Sequence, residues 1–544
     1  MIKTLKEDCF GCTACSAICD FAAISMEKDV EGFVYPIGDQ DKCTDCDLCN
    51  KVCPAQSESF AKNNTVSPDC FAGWCRDEKI RKESSSGGVF TLLAEYVLDN
   101  NGFVCGASFD EDNRLKQVII DDKKELPKLR GSKYIQCEMG DVFLRIKELL
   151  DENKVVLYVG TPCQVAGLHG FLRKDYDTLL SVDLLCHGTP SQKIFDRYME
   201  EVGEGKDEIS GISFRDKTTG WSNFSFCFSF DYKKNNVQSK YLRQFRNTRY
   251  MVGLTKNLTL RPCCTSCAFA TLPRVSDITL GDFWGIDSYD KNLDDDGGTS
   301  MILVNNSKGR KLLEKIKPEM ATCQAVPLEV AVKRSPILRM PAVVHKNRGS
   351  FFKKVGDRSS VINLIERELG RNRVGIMNFH SSNHDFGAVM VAYALSRSVE
   401  RLGYKPEIVN FVPKRFKGDN SVFDDFRRKF LKRTKLCKSV AELRKLNRFF
   451  DKFVVGSGQV WRWHSDYRYF FNWVLGNKSI ISYAASFGSD RFVGSEVEKG
   501  RIRELLSRFE SVSVGEKTAV DICDDTFNVS AEQVLDPTLL LSAQ

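Results

Sequence analysis

Apolar and polar positions recur along this chain with two periods, and the change from one to the other marks its elements. From about Cys70, short apolar runs of strand length alternate with stretches whose apolar residues stand three and four positions apart, as in an α/β domain. Val155 to Val159 is a strand-forming run that ends in Gly160-Thr161-Pro162-Cys163 ahead of a helical stretch, and Leu179 to Leu185 ends in Cys186-His187-Gly188 ahead of another. Both cysteines therefore fall at the carboxyl ends of expected strands, the edge at which an open parallel sheet binds ligands. Arg81 to Ser86 lead into Gly87, Gly88, Val89, Phe90, Leu92, Leu93, Tyr96 and Val97, a capped helix start followed by a buried stripe. Residues 347–373, rich in charge and glycine, read as a linker. Beyond it Val374 to Met377 predicts a strand, Phe386 to Leu402 a helix, and Pro406 to Phe411 and Phe453 to Val455 two further strands, so a second parallel α/β unit begins near Val374.

With 544 residues, 42% hydrophobic and 28% charged, the chain has material for three or four globular units and is neither collagen-like nor wholly disordered. A formal net charge of +7 is small for this length and does not argue for nucleic acid. The basic stretch with Lys414, Arg415, Lys417 and then Arg427 to Lys435 reads as a solvated helix face or as attraction for a phosphorylated or acidic partner; beyond Phe423, Phe426 and Phe430 it carries no aromatic platform for bases. Met1 runs through Lys3 and Lys6 straight to Cys9 without a secretory signal, and no run of 18 apolar residues occurs, so the expectation is a cytoplasmic protein without a transmembrane segment. Thiols stay reduced in that compartment, which turns clustered cysteines, among 21 in all, toward metal ligation rather than disulfides.

Eight cysteines form two quartets, Cys9, Cys12, Cys15 and Cys19, then Cys43, Cys46, Cys49 and Cys53, each spaced C-x2-C-x2-C-x3-C with Pro54 after the last. Three closely spaced thiolates can hold one 4Fe-4S cubane while the fourth crosses to the other. Zinc sites instead use two C-x2-C pairs separated by a longer loop. Residues 1–60 resemble bacterial two-cluster ferredoxins, which implies a small ferredoxin-like α+β module; Asp20 stands where that family usually has proline.

Cys163 and Cys186 at two strand ends, with Cys264 and Cys267 in a turn-like stretch, add up to a four-thiolate site, although spacing alone fits buried small hydrophobes equally well. The serine-glycine run before Val89 fits a phosphate as well as a plain helix cap. Ser84 to Gly88, Arg130 to Tyr134, Gly160 to Gln164, Cys186 to Ser191 and Ser276 to Gly285 together resemble the family of the coenzyme F-420 hydrogenase/dehydrogenase beta subunit, over residues 70–346. That resemblance implies an α/β domain with FAD and a 4Fe-4S cluster. By it, Ser85, Ser86, Gly87, Gly88, Ser132, Lys133 and Tyr134 belong to the FAD site, and Cys163, Cys186, Cys264 and Cys267 ligate a third cluster. Cys263 rivals Cys264, which is preferred because it alone forms C-x2-C with Cys267. His187 reads either as a donor to sulfur or flavin or as structural, and Asp282 and Trp284 either as a border of the flavin ring or as a strand end. Catalytic residues stay unassigned.

Asn383 to Gly387, Ala392 to Leu395, Gly456 to Trp461, Ser482 to Gly488 and Asp536 to Leu540 resemble the polysaccharide pyruvyl transferase family. That family transfers a pyruvyl group from phosphoenolpyruvate to a sugar on two Rossmann-like halves. About 170 residues follow Val374, room for one Rossmann-like half-domain over 374–544, either truncated or kept for binding. Gly458 and Gly515 replace an acidic residue and an arginine usual there. The expected whole is an α/β multidomain iron–sulfur flavoprotein oxidoreductase. It passes electrons between three 4Fe-4S clusters and FAD, with a partner protein or soluble ferredoxin and an unidentified small-molecule substrate, a deazaflavin being one candidate. The alternatives are a pyruvyl transferase of surface-polysaccharide biosynthesis with an accessory redox part, and a colourless zinc-stabilised scaffold.

Overall fold

The computed structural model describes residues 1–56, 64–203, 208–232, 237–356, 359–381, 385–411, 421–462, 466–476 and 478–541, and the chain divides into two units, Met1–Ile362 and Asn363–Gln544. It is a mixed α/β protein with several separate sheets. Asn383 and His384 of the transferase-like motif, and Lys414, Arg415 and Lys417 of the basic stretch, lie outside the described residues. Among the described residues no helix is long and apolar enough to cross a membrane.

The first unit begins with an antiparallel pair, β1 (Ile24–Lys28) and β2 (Val34–Gly38). Asp29 closes the turn between them by accepting from the Glu31 and Phe33 amides, each at 3.0 Å. Around this pair the two cysteine quartets repeat one local structure: short helices Ala14–Ala17 and Leu48–Lys51, each preceded by a residue in the left-handed region, Thr13 and Asp47. The repeated spacing in the sequence is thus a repeated backbone turn.

The strands β3 (Asp69–Cys75), β4 (Phe103–Phe109), β5 (Leu115–Ile120), β6 (Val156–Gly160) and β7 (Leu179–Leu184) are followed by a three-stranded sheet of β8 (Glu208–Asp216), β9 (Ser225–Tyr232) and β10 (Val237–Gln244). β11 (Ile278–Asp282), β12 (Ser300–Val304) and β13 (Met320–Val326) then join the first set in an eight-stranded sheet of order β13-β3-β12-β11-β7-β6-β4-β5. Its centre, β4-β6-β7-β11, is parallel as the alternation of strands and helices predicts, but β5, β12, β3 and β13 pair antiparallel, so the sheet is mixed. Helix Val89–Asp99 buries Val89, Leu92, Leu93 and Val97 against Leu157, Val182 and Ile302 on one face. Losing one such side chain, as in Leu93→Ala, costs about 2–5 kcal/mol. The capped start expected there has no side-chain cap: Gly88, at φ +83°, occupies the cap position. On the other face, Phe143, Ile146, Val165 and Leu168 pack with Cys12, Ala14 and Val52, so the iron-ligand segment shares a core with the sheet's helices.

Residues 347–373, expected as a linker, carry helices Arg348–Lys354 and Val361–Glu368. Phe351, amid glycine and basic residues, and Val361, Leu364 and Ile365, in one short apolar cluster, are buried, and that burial supports helices too short to be stable alone.

The second unit is a six-stranded sheet of β14 (Arg373–Met377), β15 (Lys405–Ile408), β16 (Lys452–Gly458), β17 (Ser479–Ala485), β18 (Ser513–Val514) and β19 (Glu532–Gln533), ordered β15-β14-β16-β17-β18-β19 with every pair parallel. Helix Phe386–Arg401 starts where Asp385 accepts from the Ala388 amide at 3.0 Å, and it buries Val389, Ala392 and Leu395 on the sheet. Phe453, Trp461, Phe471 and Trp473 fill the other core.

Candidate functional site

The cysteine quartets are interleaved. Cys9, Cys12 and Cys15 of the first share a small cavity of about 20 Å³ with Cys53 of the second. Cys43, Cys46 and Cys49 lie on the second turn, Cys46 exposed and Cys49 buried. Cys19 accepts from the Ala23 amide at 3.4 Å. Cys15 and Cys49 pack on the same Ile24, which puts the two thiol groups side by side.

A second, larger cavity of about 300 Å³ opens over the carboxyl ends of β6 and β7. Its lining includes Cys163, Cys186, Cys264 and Cys267, and also Ser85, Ser86, Gly88, Ser132, Lys133 and Tyr134. Cys163 stands in the first turn of helix Pro162–Leu172, whose start is fixed by a capping box in which the Thr161 amide donates to Gln164 Oε1 at 2.9 Å. Cys186 follows the end of β7, and Cys264 and Cys267 belong to the tight turn around Pro262–Ser266. Gly188 lets that turn approach, since a Cβ there would stand 3.0 Å from Cys264 Cβ. Burial pushes the Cys163 thiol up to about 12 and Cys186 well up as well. Cys263 lies deeper than Cys264. The adjacent thiols interact directly, which together with burial pushes the Cys263 thiol up.

Among the described residues no three or more His, Cys, Asp or Glu side chains gather tightly enough for a single metal ion. A lone zinc at 2.3 Å from each sulfur would draw its thiolates to about 3.8 Å from one another. Four soft thiol donors lining one cavity fit an iron–sulfur cubane by donor type.

The serine-glycine loop is held from behind. Gly87 does not line the cavity; a Cβ there would stand 2.4 Å from the Gly73 carbonyl, and its amide donates to Ser300 Oγ at 3.0 Å. The Ser132 amide donates to Ser85 Oγ at 2.7 Å, tying the loop to the Arg130–Tyr134 segment. Two cations from β8 and the turn after it, which the sequence reading missed, grip successive carbonyls. Arg215 donates to Ser85 O at 3.1 Å, and Lys217 to Ser86 O at 2.7 Å as well as to Arg81 O and Gly297 O. Burial and the Arg215 and Arg81 charges pull the Lys217 ammonium down to about 7. With its carbonyls occupied, the loop presents Ser86 Oγ as a buried atom without a hydrogen-bond partner. An orphaned hydroxyl beside Gly88 is what a diphosphate oxygen would satisfy. Lys133 Nζ turns back onto the carbonyls of Leu129, Arg130 and Gly131, and burial lowers it to about 8.

Asp282 lines the cavity but is committed to Arg215 at 2.7 Å. Trp284 stacks on Trp221 with centroids 4.1 Å apart, and His187 Nε2 lies 2.6 Å from Asn257 Oδ1. All three have structural partners.

Residues 8–57 match the model of the 4Fe-4S dicluster domain, 70–143 and 153–327 those of the N-terminal and C-terminal parts of the coenzyme F420 hydrogenase/dehydrogenase beta subunit, and 385–543 that of the polysaccharide pyruvyl transferase. This is the order that the sequence motifs resembled, and its redox part has the domain content of an iron–sulfur oxidoreductase. One subunit of the F(420)H(2) dehydrogenase of Methanosarcina mazei is 23% identical over 194 residues, 33% of this chain and 53% of that protein. The chain thus spans about half the length of that curated relative. An uncharacterized protein of Methanocaldococcus jannaschii is 22% identical over 370 residues, 57% of this chain and 98% of its own length. Among solved structures, a chain of the F420-reducing NiFe hydrogenase complex from Methanosarcina barkeri covers 58% of this chain and 94% of its own at 15% identity and a TM-score of 0.33.

Proposed function

We propose that the first unit is an iron–sulfur flavoprotein oxidoreductase holding three 4Fe-4S clusters and FAD. The observation that carries this reading is the shared cavity: the serine-glycine loop, the Arg130–Tyr134 segment and four cysteines from two strand ends and one turn line one space of about 300 Å³. Cys9, Cys12, Cys15 and Cys53 would hold the proximal ferredoxin cluster, Cys19, Cys43, Cys46 and Cys49 the distal one, and Cys163, Cys186, Cys264 and Cys267 the third. When bound, FAD would supply the exchange between one-electron and two-electron chemistry.

The chain's own residues do the rest. Ser86 and the amides around Gly88 and Ser132 offer donors to phosphate oxygens, and Arg215 and Lys217 keep the intervening carbonyls turned away from them. Leu280, Leu129 and Val159 supply apolar wall that excludes water from the cavity. The substrate is proposed as a small molecule that meets this cavity, a deazaflavin being one candidate, with a ferredoxin or other protein as electron partner and the cytoplasm as compartment. Anaerobically purified protein should contain FAD near one per chain, iron and labile sulfide near twelve each and little zinc, by order of magnitude from three cubanes. A colourless zinc protein would refute it.

The second unit is proposed as a Rossmann-like half of the transferase architecture without pyruvyl transfer. Gly458, φ +86°, has open space where an acidic side chain is usual, and Glu516 is engaged by Ser486. Ketal formation from phosphoenolpyruvate and a sugar acceptor would reverse this in favour of the transferase.

A further inference from the structure

Arg261 is 1% exposed, and a guanidinium taken that far out of water is costly unless an anion faces it. The two other buried arginines around this cavity follow that rule, Arg215 pairing with Asp282 and Arg274 with Asp183, both at 2.7 Å. Among the described residues no carboxylate forms an ion pair with Arg261. Its hydrogen bonds go to carbonyls of the ferredoxin segment, Nε to Cys9 O at 2.7 Å and Nη2 to Val34 O at 2.9 Å, and its plane covers the Tyr35 ring at 4.1 Å. Nη1 is buried with no partner at all. The ionisable groups near it are the Tyr35 hydroxyl and the thiols of Cys263, Cys9 and Cys264. Arg261 also lines the large cavity and immediately precedes the Pro262–Ser266 turn.

Cys9 belongs to the proximal ferredoxin set and Cys264 to the third set, so one unneutralised cation lies between two groups of thiols. A cubane with four thiolate ligands is a net anion that becomes more negative on reduction, and net charge and hydrogen bonds at sulfur set its potential. We propose that Arg261 is a buried cation shared by the proximal ferredoxin cluster and the third cluster, stabilising the reduced form of each and supplying a donor, Nη1, toward their sulfur. The step it serves is transfer of one electron, in which one cluster is oxidised as the other is reduced and no bond or proton moves. This rests on the cluster assignment above. Arg261 acts here as a positioning and electrostatic residue.

The test uses the full chain with its clusters, titrated with dithionite and followed by electron paramagnetic resonance, in wild type, R261Q and R261K. In R261Q, at a fixed poise, the reduced-to-oxidised ratio of the proximal and third clusters should fall about tenfold, equivalent to about 59 mV for a one-electron couple. The distal cluster should not move, and R261K, which keeps the charge, should recover most of the loss. Ratios in R261Q within twofold of wild type, an equal shift of the distal cluster, or lost FAD with unchanged potentials would each overturn the proposal. If R261Q loses iron while R261K keeps it with near-native potentials, the charge requirement stands; loss of iron in both makes Arg261 a clamp and removes the electrostatic role. Failure of the underlying reading shows separately, as wild-type iron near eight, which removes the shared role whatever R261Q does.

Discussion

Cys12 lies directly against Gly167: a Cβ built at Gly167 would stand 2.9 Å from both Cβ and Sγ of the cysteine. Gly167 is four residues beyond Cys163 in helix Pro162–Leu172, hence on the same face one turn along. On the proposed assignment, Gly167 thus joins the face of a third-site ligand, Cys163, to the contact with a proximal-site ligand, Cys12. Gly167→Val should push the ferredoxin segment off this helix, at a cost of about 1–3 kcal/mol for overpacking. Reduction of the third cluster through the distal one should slow at least tenfold in stopped-flow traces, with iron content retained. An unchanged rate would place the route elsewhere.

The cysteines of the large cavity are separable from the ferredoxin set, because they come from β6, β7 and the Pro262–Ser266 turn rather than from the first 56 residues. Cys163→Ala, Cys186→Ala and Cys267→Ala should each lower iron from about twelve to about eight. Cys264→Ala should do the same and Cys263→Ala should not, since Cys263 is the more deeply buried of the pair and only Cys264 forms C-x2-C with Cys267. The opposite result for these two would exchange their roles.

Ser86→Ala removes one orphaned hydroxyl and disturbs little else. A hydrogen bond to a charged group contributes about 1.5–3 kcal/mol, so FAD should bind roughly 10- to 100-fold more weakly, measured by fluorescence on reconstitution of the flavin-depleted chain. Valine at Gly87 is the wrong probe, because it would collide with the Gly73 backbone and Trp74 and distort the loop from behind. Unchanged affinity in Ser86→Ala would move the phosphate contact away from this loop.

His380 of the second unit is fully buried between Asn378 O and Asn410 Oδ1, and burial lowers its pKa to about 4. The folded state then binds fewer protons than the unfolded one between pH 4 and the ordinary histidine value of about 6.5. This contribution to stability is complete above pH 6.5 and is lost as pH falls toward 4, up to ~3 kcal/mol. In urea unfolding between pH 7 and 5, wild type should lose more stability than His380→Gln. Parallel curves would mean that the buried imidazole does not control the acid limb.

What the sequence revealed was whatever chemistry writes into local spacing. The quartets Cys9 to Cys19 and Cys43 to Cys53 repeat in spacing, and each carries the same left-handed residue and single helical turn. The strands before Cys163 and Cys186 were legible because they are apolar at nearly every position. Arg215 and Lys217 were not: they reach the serine-glycine loop from about 130 residues away, and nothing beside them in the chain marks a loop-holding role. The helices at Arg348–Lys354 and Val361–Glu368 were hidden because Phe351 stands amid glycine and basic residues, and Val361, Ile362, Leu364 and Ile365 make only one short apolar cluster beside a charge-rich stretch. The mixed sheet escaped because β12 and β3 are as apolar as parallel strands would be, and direction leaves no trace in hydropathy.

Cys46 is exposed, Cys19 and Cys43 are half-buried, and Cys12 and Cys15 are closed off. On the proposed assignment this gradient decides how the protein ages in air. Oxidants attack reachable sulfur first, so dioxygen would dismantle the outermost cubane while those behind it are still intact. An aerobically handled sample would then keep its colour and its flavin yet refuse electrons from outside, like a charged cell with a corroded terminal.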